Sequence, residues 1–233
     1  MAQINVIKEK SNETKTFSIR SRFSRGLGNS LPANAADFEV TITNLTRGQQ
    51  FTPILVATHK AGVKLFHLGQ PASPELATLA EEGNTVPLAG LLTAMPDVLD
   101  VTNASGLLNP GASVTLKVKT RGTFNHLSVA SMLIPSNDGF FALNGVKGPW
   151  DQEVMTHTSV AYDAGSERND ELCAHIPGPS FVECGGPGGG GAPMGGEEGY
   201  VHVHAGIHGI GDLNAAERDW RNPVARIVIR RLP

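Results

Sequence analysis

The sequence predicts an all-β protein, an antiparallel β-sandwich with one or two short helices. Three observations support this fold class. Apolar and polar residues alternate with a period of two, strand-length apolar runs recur, and clusters of Gly, Pro, Asn and Asp separate them. Helical periodicity is confined to one part of the chain. These features favour two packed sheets over an α/β fold.

The alternating segments predict strands with one face in the core and the other in water. Residues 38–43, 114–119 and 225–230 each place apolar and polar side chains on opposite faces. Such half-exposed strands are typical of antiparallel sheets. Residues 53–58 and 127–134 are instead apolar on both faces, so we expect them to be central strands that are covered on both sides.

One helix has clear start and stop signals. Ser73 can cap its N-terminus, Pro74 suits the first helical position, and Gly83 can end it. Residues 88–95 can add another turn or two.

The length of 233 residues fits one large sandwich domain. We expect residues 1–36 to form an N-terminal arm or edge strand, because their basic residues are spread out among polar ones. Residues 37–233 then form the sandwich. Within it, residues 185–199 are mostly glycine and predict a surface loop between strands, since glycine has no side chain to pack.

Composition argues against two broad classes of protein. A formal net charge of −3 is unlike that of a general nucleic-acid binder, which usually has a basic face. The chain also lacks the run of roughly 18–20 apolar residues that a membrane span requires. The first five residues lack the basic start and apolar core of a signal peptide, so we expect either a cytosolic chain or the mature form of an exported one.

The two cysteines, Cys173 and Cys184, flank a short Pro- and Gly-containing segment. They predict either a disulfide, which suits an oxidising compartment, or two separate thiols. Cys173 and His175 could pair as nucleophile and base, but no helix N-terminus is predicted there to activate the thiol. The sequence also lacks a Gly-x-Ser-x-Gly elbow, a His-Glu-x-x-His motif and a Walker loop. We therefore expect a protein that is not an enzyme.

Three acidic residues predict a calcium site. Asp138, Asp163 and Glu167 each lie in a turn-rich segment after a predicted strand. Calcium binds six to eight oxygen ligands, which flexible loops of a sandwich can supply. The alternative is that these carboxylates are solvated turn residues.

A histidine cluster offers an alternative metal site. His202 and His204 share one face of a predicted strand, and His208 or His59 could complete a shell for copper or zinc. The structural alternative is that these histidines hydrogen-bond to neighbouring loops and line a polar seam between the sheets.

Several segments, taken in order, resemble the N-terminal domain of the spondins, the F-spondin-like family, and are most similar to its bacterial branch. The resemblance extends from about Asp37 to the C-terminus. The segments that carry it are residues 40–49, 56–59, 65–66, 69–73, 76–83, 131–138, 162–165, 203–212 and 219–226.

The resemblance implies an antiparallel β-sandwich similar to calcium-dependent membrane-binding domains. It also implies a calcium ion held by a Pro-x-x-Asp turn and by two acidic residues of an Asp-Ala-Gly-x-acidic turn. These positions correspond to Asp138, Asp163 and Glu167, although the animal proteins tend to have Asp where this chain has Glu167. The animal branch lacks the segment with His202 and His204, so the resemblance implies nothing about them.

The combined prediction is a non-enzymatic, calcium-binding interaction or adhesion module that is secreted, periplasmic or on the cell surface. Its partner would be extracellular matrix, a polysaccharide, a lipid surface or another surface protein. The alternative is a copper- or zinc-binding protein that uses His202, His204 and a third histidine.

Overall fold

A computed structural model of the protein describes residues 36–179 and 181–233. Apart from Ala36, which begins the first strand, the N-terminal arm predicted for residues 1–36 lies outside the described residues. The described residues form two antiparallel sheets and a few short helices, which confirms the predicted fold class.

Eleven strands and three α-helices make up the regular structure of the described chain. The strands are β1 (Ala36–Asn44), β2 (Gln50–Phe51), β3 (Leu55–His59), β4 (Val98–Asn103), β5 (Ser113–Thr120), β6 (His126–Ile134), β7 (Gly139–Lys147), β8 (Val154–Ser159), β9 (Ala161–Asp163), β10 (His202–Val203) and β11 (Ala225–Arg231). The helices are α1 (Pro74–Glu82), α2 (Val86–Ala94) and α3 (Ala215–Arg218), and Cys173–His175 form a single 3₁₀ turn.

The two sheets differ in size. The smaller has the strand order β5–β1–β11–β8. The larger has the order β10–β9–β7–β6–β3–β4, and β2 pairs with β6 beside this path. All of these pairings are antiparallel. The short strand β10 therefore lies at one edge of the larger sheet.

Side chains from the inner faces of the two sheets form the main core. Phe38, Val40 and Ile42 of β1 and Ile227 and Ile229 of β11 are fully buried in it. These are the apolar positions of two segments whose alternation predicted half-exposed strands, and the prediction is confirmed.

A second core lies on the other face of the larger sheet. Leu55 and Ala57 of β3 pack there with Leu76 and Leu79 of α1, whereas Val56 belongs to the main core. The helices therefore cover the outer face of β3, and both faces of this strand are dry. This explains why its segment is apolar throughout, as expected for a central strand.

Helix α1 has the predicted ends. The Ser73 side chain accepts a hydrogen bond from the Leu76 amide at 3.2 Å, and Pro74 is the first helical residue. Gly83 ends the helix with a φ of 66°, and a Cβ there would lie 2.5 Å from Cγ2 of Thr52. Glycine is therefore required both by the backbone conformation and by the close approach of β2 and its following loop.

Candidate functional site

Three segments that are distant in sequence meet at the β10 edge of the larger sheet. Asp163 ends β9, and it pairs with Gly139 of β7 on one side and with His202 of β10 on the other. Asp138 immediately precedes β7, so the strand pairing brings it close to Asp163. The predicted calcium residues and His202 are thus neighbours in the fold, which neither motif alone could indicate.

The side chain of Asp138 holds the turn that follows β9 by accepting hydrogen bonds from its backbone. Its carboxylate Oδ2 accepts hydrogen bonds from the amides of Ser166 (2.8 Å) and Glu167 (3.0 Å), and its own carbonyl accepts one from Ala164 at 3.2 Å. The side chain is fully buried, and the other carboxylate oxygen, Oδ1, has no hydrogen-bond partner among the described residues. A buried carboxylate oxygen without a partner is energetically costly unless a cation or a proton compensates it.

Asp163 is 1% exposed and has both oxygens in hydrogen bonds. Its Oδ1 accepts from the Gly165 amide at 2.7 Å, and its Oδ2 accepts from Nδ2 of Asn169 at 2.7 Å. Gly165 has a φ of 65°, and a Cβ on it would lie 2.3 Å from the Tyr200 carbonyl oxygen. Glycine at this position therefore allows the β9 turn to contact the segment that leads into β10.

Glu167 is covered by the glycine-rich loop. Its Oε1 accepts a hydrogen bond from the Ala192 amide at 3.0 Å, and a Cβ on Gly191 would lie only 2.1 Å from this oxygen. Its other oxygen, Oε2, is buried and has no partner in the described part of the chain. Residues 185–199 contain no helix or strand, and the glycine at position 191 permits close packing over the site.

Burial makes all three carboxyl groups hard to ionise. Desolvation, reinforced by the charge of Asp163, raises the pKa of Asp138 from 3.8 to about 7. Desolvation, reinforced by Glu81, raises the pKa of Glu167 from 4.5 to about 8. Desolvation also raises the pKa of Asp163. The ion pairs formed among the described residues bring no lysine or arginine to any of the three.

The two histidines that were predicted to act as a pair have different environments. Nδ1 of His202 lies 3.1 Å from the Val203 carbonyl oxygen, and Nε2 lies 3.5 Å from Asp163 Oδ1. His204 is 5% exposed, packs against the Trp220 ring, and its Nδ1 accepts a hydrogen bond from the Gly206 amide at 3.0 Å. Burial lowers the pKa of His204 to about 4, so this ring is neutral at physiological pH.

One group of three potential ligands occurs among the described residues. Asp163, Glu198 and His202 each place a ligand atom within 4.8 Å of the other two. Glu198 was not among the sequence candidates. Glu198 and His202 are four residues apart, so an extended chain would place both on one side. Nothing in the sequence predicts an extended chain at Glu198, because this residue lies at the end of the glycine-rich loop.

Two histidines of the predicted shell lie outside the three-residue group. His59 is fully buried with its ring nitrogens 2.9 Å from Ser128 Oγ and 2.8 Å from the Lys60 carbonyl oxygen, and three strands separate β3 from β10. The ring of His208 is exposed and outside the three-residue group, although its backbone amide donates to Glu171. Neither residue belongs to the group that contains His202.

The three predicted calcium residues are linked through one turn. Asp138, Asp163 and Glu167 do not, however, form a group whose ligand atoms all lie within 4.8 Å of one another. What they share is burial, a carboxyl group with a raised pKa and, for two of them, an oxygen without a partner.

Cys173 and Cys184 form a disulfide, with a Cα–Cα distance of 5.5 Å. The bond resolves the alternatives left open by the sequence. It also removes the thiol that a Cys173–His175 nucleophile pair would need. Nδ1 of His175 instead donates a hydrogen bond to Asp170 Oδ2 at 2.7 Å.

Comparison with known proteins identifies the family. No curated protein matches the chain, but the family model described as Spondin_N matches residues 38–169, more than half of the chain. Domains of this family are extracellular interaction modules. No helix among the described residues is long and apolar enough to cross a membrane. The chain belongs to the spondin N-terminal domain family.

Proposed function

We propose that the protein is a non-enzymatic, calcium-binding adhesion module that acts outside the cell. The observation that carries the proposal is the pair of buried carboxylate oxygens without partners, Asp138 Oδ1 and Glu167 Oε2, beside the buried carboxylate of Asp163. Oxygen ligands of this kind suit calcium, and a divalent cation would compensate charge that no lysine or arginine of the described chain neutralises.

The residues that would hold the ion belong to three segments. Asp138 lies between β6 and β7, Asp163 ends β9, and Glu167 lies in the following turn beneath the glycine-rich loop. Calcium supplies positive charge there and removes the mutual repulsion of the carboxylates. Binding would therefore hold these loops in one arrangement at the β10 edge.

The loops held in this way would form the surface that binds a partner. The partners that fit an adhesion module are a matrix component, a polysaccharide, a lipid surface or another surface protein. Family membership and the disulfide support an extracellular or periplasmic location, because disulfides persist in oxidising compartments. The proposal that the module is not an enzyme is supported by the engagement of Cys173 in the disulfide.

The test is thermal unfolding of tag-free protein in EDTA and after calcium is added back. At 100 times the dissociation constant, a ligand that binds only the folded state stabilises it by about 2.7 kcal/mol. For a domain of this size we expect the Tm to rise by roughly 5–10 °C. Calorimetry or circular dichroism would measure the shift.

Two variants test whether Asp138 and Glu167 bind the calcium ion. Asp138→Asn keeps an oxygen that can accept from the Ser166 and Glu167 amides but removes the charge, and Glu167→Gln does the same toward Ala192. We expect both to lose most of the calcium-induced shift. Asp151→Asn, at an exposed position, is the matched control and should keep it. If calcium left the Tm of the parent unchanged, or raised it equally in both variants, the proposal would be wrong.

A further inference from the structure

We propose that Asp163, Glu198 and His202 form a second metal site, which takes a divalent transition ion such as zinc. The site goes beyond the calcium proposal because it contains an imidazole nitrogen, a ligand that suits zinc and its neighbours better than calcium.

The hydrogen bond that His202 makes through Nδ1 leaves the lone pair of Nε2 for the carboxylates of Asp163 and Glu198. The Val203 carbonyl oxygen can only accept, so Nδ1 of His202 carries the proton in this contact at 3.1 Å. Nε2 of the neutral ring therefore has a free lone pair. It is buried and has no hydrogen-bond partner among the described residues. A histidine that donates one ring N–H to a backbone carbonyl and presents the other nitrogen to a metal is the usual arrangement in metal sites.

Two of the ligand-to-ligand distances are close to those around a small ion. Zinc lies about 2.0–2.2 Å from nitrogen and carboxylate ligands in tetrahedral sites, so neighbouring ligand atoms are roughly 3.3–3.6 Å apart. Nε2 of His202 is 3.5 Å from Asp163 Oδ1 and 4.0 Å from Glu198 Oε2. Glu198 is exposed, so its side chain can move the few tenths of an ångström that separate it from this range.

His204 lies beside the site but is not one of the three ligands. Its Nδ1 accepts from the Gly206 amide, so the proton of the neutral ring is on Nε2. This Nε2 is buried, has no hydrogen-bond partner within the described chain, and lies 3.8 Å from Asp163 Oδ2. The side chain is 3% exposed and is aimed into the site. A buried N–H without a partner therefore lies beside the Asp163 oxygen that accepts from Asn169.

Gly139 provides the space for this ring. It pairs with Asp163 in the sheet, and a Cβ on it would lie 3.1 Å from Cδ2 of His204 and 2.6 Å from Ser136 Oγ. The absence of a side chain at position 139 lets the imidazole lie against the strand beside Asp163.

Three protein ligands leave one position open in a four-coordinate site. Glu198 is exposed and the side chain of His202 is 27% exposed, so that position faces the surface. Asp163 is shared with the proposed calcium site, but the other residues of the two sites are different. This difference allows each site to be tested separately.

The test is titration of zinc into tag-free, EDTA-treated protein by calorimetry, with cobalt absorption as a second readout of ligand geometry. We expect one zinc ion per chain. His202→Ala and Glu198→Gln should each weaken binding roughly tenfold or more, because a lost ligand costs at least as much as a lost supporting residue. His208→Ala, at a nearby exposed histidine outside the group, should bind zinc like the parent.

Calcium responses separate the two proposals. His202→Ala and Glu198→Gln should keep the calcium-induced rise in Tm, which also shows that they fold, whereas Asp138→Asn should lose that rise and still bind zinc. Nitrogen-15 spectra of the histidine rings should show zinc at Nε2 of His202 with Nδ1 still protonated. The second site would be refuted if the parent bound no zinc, if His202→Ala bound it as tightly as the parent, or if only Asp138→Asn lost it.

Discussion

At the scale of single residues, the two carboxylate oxygens of Asp138 have different environments, and the same is true of Glu167. One oxygen of each carboxylate accepts backbone hydrogen bonds and holds a loop, and the other oxygen is buried without a partner. The first oxygen gives the residue a structural role whether or not a cation is present. The second makes the charged form unfavourable in the absence of a cation, which is why burial raises both pKa values.

These pKa values predict that the calcium-free protein becomes less stable as pH rises. The unfolded carboxyls lose their protons near their ordinary values of 3.8 and 4.5, whereas the folded ones keep them to about 7 and 8. The folded state binds more protons in between, so its stability is greatest below these ordinary values and falls as pH rises to about 8. Urea unfolding in EDTA should show a lower free energy of unfolding at pH 8 than at pH 6.5.

The pH range of this measurement avoids an opposing effect from His204. Its pKa is lowered from 6.5 to about 4, so its contribution to stability is present above pH 6.5 and is lost as pH falls toward 4. The double variant Asp138→Asn with Glu167→Gln should flatten the decline between pH 6.5 and 8. A decline of the same size in that variant would contradict the assignment. Calcium competes with the protons, so its affinity should increase over the same range.

At the scale of elements, the loops around the site are held by buried polar side chains rather than by strand pairing. Glu171 is the clearest case. It is 3% exposed, and its carboxylate accepts hydrogen bonds from three consecutive amides, those of His208, Gly209 and Ile210, at 2.6, 2.7 and 3.0 Å. This single side chain therefore fixes the segment that follows His204.

Removal of this carboxylate should loosen the segment and destabilise the fold. Hydrogen bonds to a charged group contribute about 1.5–3 kcal/mol, and Glu171→Ala leaves three amides without their acceptor. We expect a loss of about 3 kcal/mol in the free energy of unfolding, measured with urea, and faster hydrogen exchange at residues 208–210. Glu217→Ala, at an exposed glutamate, is the control and should change stability by less than about 0.5 kcal/mol. Equal stability of the two variants would show that the three hydrogen bonds contribute nothing.

At the scale of the whole molecule, the described residues form three layers: the smaller sheet, the larger sheet, and the pair α1 and α2. The main core lies between the sheets, and the second core lies between the larger sheet and the helices. The larger sheet is thus dry on both faces over β3 and β6, while its β10 edge carries the polar site. A rigid, doubly covered sheet is a suitable support for loops that bind ions.

Apolar packing in the helix layer should contribute to stability without changing calcium affinity, since the contact of this layer with the site is the charge of Glu81 on Glu167. Leu79 of α1 is fully buried in the second core, and Leu79→Ala should cost about 2–5 kcal/mol, since it removes apolar contacts and leaves a cavity. Leu91→Ala, at a half-exposed position of α2, should cost far less. We expect both variants to retain the calcium affinity of the parent, measured by calorimetry at a temperature where both are folded. A calcium affinity that fell with stability in Leu79→Ala would mean that the helix layer and the site are coupled.

Local patterns in the sequence were sufficient for much of the fold. Alternation along β1, β5 and β11 depends only on the two-residue period of a strand, and Ser73, Pro74 and Gly83 specify the ends of α1 through local hydrogen bonding and backbone conformation. The resemblance to the spondin domains added the family, which the match over residues 38–169 confirms.

The candidate site required the tertiary structure, because its contacts join segments that are far apart in sequence. Along the sequence, the carboxylates and the histidines form two separate motifs. Strand pairing places His202 directly opposite Asp163, which makes the motifs neighbours. The fold also brings in Glu198, while three strands separate His59 from β10. Even the roles of His202 and His204, two residues apart, depend on which backbone group each ring contacts. The sequence by itself determined the strands with alternating or continuously apolar residues, the first helix and the family, since those follow from local periodicity and ordered motifs. Only the tertiary structure decided which side chains meet, because long-range pairing and burial set their distances and charges.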